Sequence, residues 1–113
     1  MKNFIVIYHA SKDAMKQNAE MSPEEMKKGM EPWMVWANKC GDNLVDMGTP
    51  LSDSIKLSPD GKSSKTENGV VGYSILKAEN LDGAKVLMEG HPHLQWNAEC
   101  EIEIHETMAL PGM

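Results

Sequence analysis

Residues 2–9 (KNFIVIYH) contain an unbroken apolar and aromatic run from Phe4 to Tyr8. Because alternate side chains of a strand point to opposite faces of a sheet, a run with no polar face predicts a strand that is covered on both sides. Residues 99–106 (ECEIEIHE) alternate instead, with Ile102 and Ile104 on one face and Glu101, Glu103 and His105 on the other. This pattern predicts a strand with one face in water.

The 113 residues suffice for a single domain over 1–113 with one core. A formal net charge of −6 argues against nucleic acid or an anionic membrane as the main partner. No apolar run approaches the ~20 residues of a membrane span, and no stretch is typical of a secretory signal. We therefore expect a cytoplasmic protein whose two cysteines, Cys40 and Cys100, are buried and reduced.

Residues 22–25 (SPEE) predict the start of a helix, because Ser22 suits the N-cap and Glu25 completes a capping box. Helical spacing from about 23 to 40 gathers the apolar side chains on one side, and Gly41 is a natural end. We interpret this side as a core-packing face rather than a ligand site; it consists of Met26, Gly29, Met30, Trp33, Met34, Trp36, Ala37 and Cys40.

The remaining chain contains three further elements before the last strand. They are a short strand at 43–47, a strand at 69–77, and a helix at 81–89 that Asn80 can cap. A long polar connection at about 51–68, with a turn at Asp60-Gly61, separates the two strands. Residues 91–97 link the helix to the last strand, and 108–113 form a tail.

The order strand, helix, strand, strand, helix, strand predicts an α+β fold with a ferredoxin-like βαββαβ antiparallel sheet and both helices on one face. Right-handed crossovers place the first strand beside the third, with the second and fourth strands at the edges. The other face of the first strand is also apolar, and a second copy of the chain is its simplest cover.

Five segments together resemble the YCII-related (DGPF-like) family of dimeric α/β-barrel proteins, and the resemblance covers most of the chain. They are residues 6–9 (VIYH), 41–51 (GDNLVDMGTPL), 80–84 (NLDGA), 90–94 (GHPHL) and 100–104 (CEIEI). The resemblance implies a homodimer whose sheets enclose a cavity. It also implies chemistry on a small molecule without a prosthetic group, so no cofactor is expected. One branch of the family pairs a histidine of the first helix with an aspartate; the first helix here has no histidine.

In the predicted topology the end of the first strand, the end of the second and the start of the fourth share one rim of the sheet. We take His9, paired with Asp46, as the candidate catalytic base or acid, because imidazole titrates near pH ~6.5. The candidate ligand-binding residues are Thr49, Tyr73, His91, His93 and Trp96.

Each of these candidates also has a simpler interpretation. His9 could be a strand-end residue that bonds a neighbour, Tyr73 could fill the core, and Glu101 and Glu103 could form a solvated strand face. His91 and His93 supply only two imidazoles, whereas a structural zinc takes about four ligands, so no metal site is predicted. Three functions therefore remain open: a cofactor-independent enzyme, a ligand-binding module without chemistry, or a protein-interaction subunit that uses the 51–68 segment.

Overall fold

The computed structural model describes residues 1–66 and 68–112, with only the backbone described at 15 and 17–19. The elements confirm the α+β class. In chain order they are β1 (Lys2–His9), α1 (Lys12–Ala19), α2 (Pro23–Cys40), a 3-10 turn (Gly41–Asn43), β2 (Leu44–Asp46), β3 (Ile55–Leu57), β4 (Ser63–Lys65), β5 (Val70–Ala78), α3 (Leu81–Met88), α4 (Pro92–Trp96) and β6 (Glu101–Glu106).

Four strands form one antiparallel sheet in the order β2-β5-β1-β6. The first strand lies in its interior, between β5 and β6, and pairs with β5 from Lys2↔Ala78 to His9↔Val70. It pairs with β6 from Phe4↔Glu106 to His9↔Glu101. These registers decide which side chains of the three strands become neighbours.

The helices cover one face of this sheet. Phe4, Val6 and Tyr8 of β1 point to that face and are at most 2% exposed. Val6 and Tyr8 pack in a buried cluster with Trp36 and Met88, which come from α2 and α3. Burial of each such apolar side chain stabilises the fold by roughly 1.5–3 kcal/mol.

The opposite face of the sheet, here called the open face, carries the other half of β1. Ile5, Ile7, Tyr73 and Ile75 are partly exposed there and belong to none of the described buried clusters. Three of them, with Leu51, Val70 and Gly72, line a shallow depression of about 380 Å³. The described residues thus leave an apolar sheet face without a cover.

Helix α2 begins as its sequence indicates, because the Ser22 hydroxyl accepts a hydrogen bond from the Glu25 amide at 3.2 Å. The prediction that its methionines pack in the core is wrong: Met26, Met30 and Met34 are 42%, 46% and 51% exposed. Residues 22–32 are all exposed, so the first half of α2 extends past the sheet and only its second half is packed. Helical spacing identifies the apolar side of a helix but not the length over which that side is buried.

Residues 51–66, which were predicted to form a polar connection, contain regular secondary structure. They contain a separate two-stranded hairpin, β3–β4, in which Ile55 pairs with Lys65 and Leu57 with Ser63. The predicted turn lies at its tip, where Gly61 adopts φ +86°. Residue 67 of the predicted connection, and residue 113 of the tail, lie outside the described residues.

Three smaller findings complete the fold. The segment that follows β1 contains helix α1, and the link at 91–97 contains helix α4. Cys40 and Cys100 are buried free thiols, as predicted. Among the helices of the described residues, none has both the length and the apolar character needed to cross a lipid bilayer.

Candidate functional site

His9 ends β1 with its side chain on the open face, where the imidazole is 20% exposed. Its Nδ1–H donates to the backbone oxygen of Asn68 at 3.1 Å. Its Nε2 lies 2.5 Å from a carboxylate oxygen of Glu103 on β6. The described residues give the buried Nε2 no hydrogen bond of normal geometry, so its contact with Glu103 is an ion pair only when the ring carries a second proton. Of the two ring nitrogens, Nε2 is therefore the one left for proton exchange.

Glu103 connects His9 to a second imidazole. Its other carboxylate oxygen accepts a hydrogen bond at 2.9 Å from Nε2 of His105, two residues further along β6. The hydrogen bond from His105, supported by the charge of His9, lowers the pKa of the Glu103 carboxyl. The carboxylate thus stays ionised, and it can stabilise a positive charge on either ring.

The predicted pairing of His9 with Asp46 does not form. Asp46 pairs with Ile75 in the sheet, whereas His9 pairs with Val70 at the other end of β5. Five residues of extended strand separate these positions by about 16 Å. The Asp46 carboxylate is exposed and accepts a hydrogen bond from the Gly48 amide at 2.8 Å, so its observed contact shapes the turn after β2.

His91 and His93, predicted to face a ligand, lie behind the sheet among the helices. They are 0% and 3% exposed. The His91 ring sits edge-on to Trp33 and Trp36, each with ring centroids 4.4 Å away. Burial, followed by the nearby His93, lowers the pKa of His91 to about 3. Burial also lowers the pKa of His93. Both rings are therefore neutral at physiological pH.

A directed chain of hydrogen bonds fixes how these buried groups are protonated. The His93 amide donates to His91 Nδ1 at 3.0 Å, so the proton of the neutral His91 ring is on Nε2, 3.5 Å from the Tyr8 hydroxyl. Ser74 donates to the Met47 carbonyl at 2.7 Å, and Tyr8 therefore donates to Ser74, also at 2.7 Å. These hydrogen bonds pair polar groups that burial would otherwise leave without partners.

His93 couples this buried cluster to the open face through the backbone. Its Nε2–H donates to the carbonyl of His9 at 2.7 Å. The two side chains lie on opposite faces of the sheet, but the hydrogen bond from His93 fixes the peptide group that follows His9 in the chain. These histidines thus lie near one end of β1, as the sequence predicted. Only His9, however, faces the open side.

The remaining predicted ligand residues are dispersed. Tyr73 lines the depression on the open face. Thr49 is exposed, next to Pro50, which bridges to Gly72 at the same end of the sheet as His9. Trp96 is partly buried, packs beside Ala10 and Ala14, and lies 5.8 Å from the His93 ring. Of these residues, only Tyr73 lines the open face.

Sequence reasoning missed Glu103 and His105 as partners of His9. The alternation of β6 placed both on one face, but only the pairing Ile7↔Glu103 shows that this face lies beside His9. Sequence gives the period of a strand without its register. Among the described residues, no three His, Cys, Asp or Glu side chains are grouped so that they could hold a metal ion.

Compared with known proteins, the chain matches no protein-family model and no curated protein. The site must therefore be interpreted from its own geometry.

Proposed function

We propose that this protein is a homodimeric, cofactor-independent enzyme that acts on a small organic molecule between two facing sheets. In this proposal it is a dimeric α/β barrel of the YCII-related type. The strand order β2-β5-β1-β6, with helices on one face, supports a ferredoxin-like sheet. The observation that carries the function is the Glu103 carboxylate between His9 and His105, beside the apolar residues of the open face.

The open face supports the proposed dimer. Ile5, Ile7, Tyr73 and Ile75 form a contiguous apolar patch in the centre of the sheet. Such a patch favours association, and a two-fold axis allows the same patch on two subunits to cover itself. Two depressions of about 380 Å³ would then face each other and exclude bulk water from the site.

His9 is the acid–base group of this proposal. Its Nδ1–H is committed to the Asn68 carbonyl, which fixes the ring and directs Nε2 towards Glu103. Glu103 stabilises the imidazolium that forms when Nε2 takes a proton from substrate. A positioned imidazole of this kind contributes about 10²–10⁴-fold to a rate. The acidic surroundings favour neutral or cationic substrates over anions.

The test is solvent-proton exchange in D₂O on a panel of small neutral carbonyl compounds, followed by proton NMR. The wild-type protein should accelerate exchange at carbon for at least one compound, and His9→Gln should reduce that rate at least 100-fold with the dimer intact. Glu103→Gln should also slow the exchange, and Glu106→Gln is its matched control, since Glu106 lies on the same strand and pairs with Lys2 at 3.0 Å. An equal rate for wild type and His9→Gln would remove His9 from the mechanism.

A second candidate, a ligand-binding module without chemistry, rests on the depression itself. Its six lining residues include no titratable side chain other than Tyr73. Under this alternative, apolar probes bind with an affinity that is independent of pH and unaltered by His9→Gln. A pH-dependent affinity that His9→Gln abolishes would favour the enzyme.

A further inference from the structure

The β3–β4 hairpin is a well-formed arm. Ser58 donates from its amide to the Lys62 carbonyl at 2.8 Å, and Gly61 donates to the Ser58 carbonyl at 2.9 Å. The Asp60 carboxylate accepts from the Lys62 amide at 2.9 Å. The tip is therefore closed by its own hydrogen bonds, and the arm extends about 20 Å from its base at residues 54 and 66.

One side of this arm is apolar and uncovered. Ile55 and Leu57 are 71% and 73% exposed. They are two residues apart, so they share a side of the ribbon with their cross-strand partners Lys65 and Ser63. All described residues from 51 to 65 are exposed, so the arm does not rest on its own subunit. A lone two-stranded hairpin is marginal in water and gains stability when an apolar side is buried.

The base of the arm is joined to the candidate site. The Leu51 amide donates to the Val71 carbonyl at 2.9 Å, and Leu51 lines the depression. At the other end of the hairpin, the Asn68 carbonyl accepts from His9. An arm anchored at this edge has the reach to cross a facing four-stranded sheet, which is about 15 Å wide.

We propose that the hairpin of each subunit docks on the open face of the partner subunit and closes the site there; this rests on the dimer of the proposed function. The chain carries both halves of the contact. Ile55 and Leu57 match the apolar patch around Ile7 and Tyr73, and Lys65 beside Ile55 matches the carboxylates of Glu101 and Glu103 that border that patch. A two-fold exchange of arms covers both surfaces in both copies.

The experiment detects contact between subunits directly. Dimers are refolded from a mixture of chains with ¹³C-labelled Ile and Leu methyl groups and chains with ¹⁵N-labelled amides, both otherwise deuterated. We expect nuclear Overhauser effects from the Ile55 and Leu57 methyls to the amides of Ile7, Tyr73 or Glu103, which can arise only across the interface.

A dilution series by sedimentation velocity gives the second readout. The double variant Ile55→Ser/Leu57→Ser should raise the dimer dissociation constant at least tenfold. Val86→Ser is the matched control, since Val86 is an aliphatic residue of α3 that is 60% exposed on the helical side, and it should change the constant less than twofold.

Two results would overturn the inference. A dimer with no such effects from the hairpin methyls, and with an unchanged constant in the double variant, contradicts arm exchange while the dimer of the proposed function stands. A monomer at all accessible concentrations contradicts arm exchange together with that dimer. Loss of proton exchange in D₂O with the hairpin contacts intact would count only against the enzymatic proposal.

Discussion

The neutral, buried state of His91 makes a quantitative prediction about pH. The folded protein binds a proton at this ring only near pH 3, whereas the unfolded chain binds it near its ordinary pKa of 6.5. Between these values the unfolded state holds more protons, so stability falls as the pH falls. At pH 5, about 1.5 pH units below the unfolded pKa, the loss is about 2 kcal/mol at about 1.4 kcal/mol per unit.

The geometry explains why the folded ring resists protonation. A second proton would go to Nδ1, which already accepts a hydrogen bond from the His93 amide, so two donors would face each other. The variant His91→Asn keeps an acceptor for that amide, because Asn is a favourable N-cap residue, but it removes the titration. It also leaves a cavity between two tryptophans and lowers stability at every pH.

The assay is urea unfolding at pH 7.5 and pH 5.0, followed by tryptophan fluorescence at one fixed protein concentration. Between these pH values, wild type should lose about 2 kcal/mol more of its unfolding free energy than His91→Asn. His93, whose pKa is also lowered, contributes to both proteins. Equal losses in the two proteins would show that His91 is not held neutral by the fold.

Five further substitutions test three separate parts of the structure. Tyr8→Phe should lower the unfolding free energy by about 2 kcal/mol, because Ser74 and His91 lose a buried partner. In the same urea titration the control Tyr73→Phe should lower it by less than about 0.5 kcal/mol. Gly48→Ala should cost about 3 kcal/mol or more by thermal unfolding, since φ is +77° and the added carbon would overlap the Tyr73 carbonyl. Gly90→Ala, at φ +72° with open space around it, should cost only about 1–2 kcal/mol, and equal costs at the two glycines would contradict the described packing. Ser22→Ala should cost about 1 kcal/mol by the loss of a helix cap, measured by the same unfolding, and no change would remove the cap from the account.

Local signals in the sequence were sufficient for most of the elements. The unbroken apolar run of β1, the cap at Ser22 and the stop at Gly41 each depend on neighbours in the chain, and the bounds of β1 and α2 agree with them. The turn at Asp60-Gly61 was visible too, but the flanking residues are too polar to indicate strands. Short strands held by pairing alone leave little periodicity to detect.

The candidate site depended on information that the sequence does not carry. The strand register places Glu103 beside Ile7 and separates Asp46 from His9. His91 and His93 occupy a short linker that the predicted topology placed at the rim of the sheet, yet the linker folds into α4, and the His91 ring packs against Trp33 and Trp36. Both outcomes result from packing between distant segments, which local patterns do not determine.

The open face is the feature on which the proposed site and its closure depend. Sedimentation equilibrium of the full chain at micromolar concentration tests it most directly. We predict a mass twice the 12.5 kDa of the chain for wild type, and a shift towards the single-chain mass for Ile7→Lys, which puts a charge in the centre of the apolar patch. A mass of one chain for the wild-type protein would contradict the account.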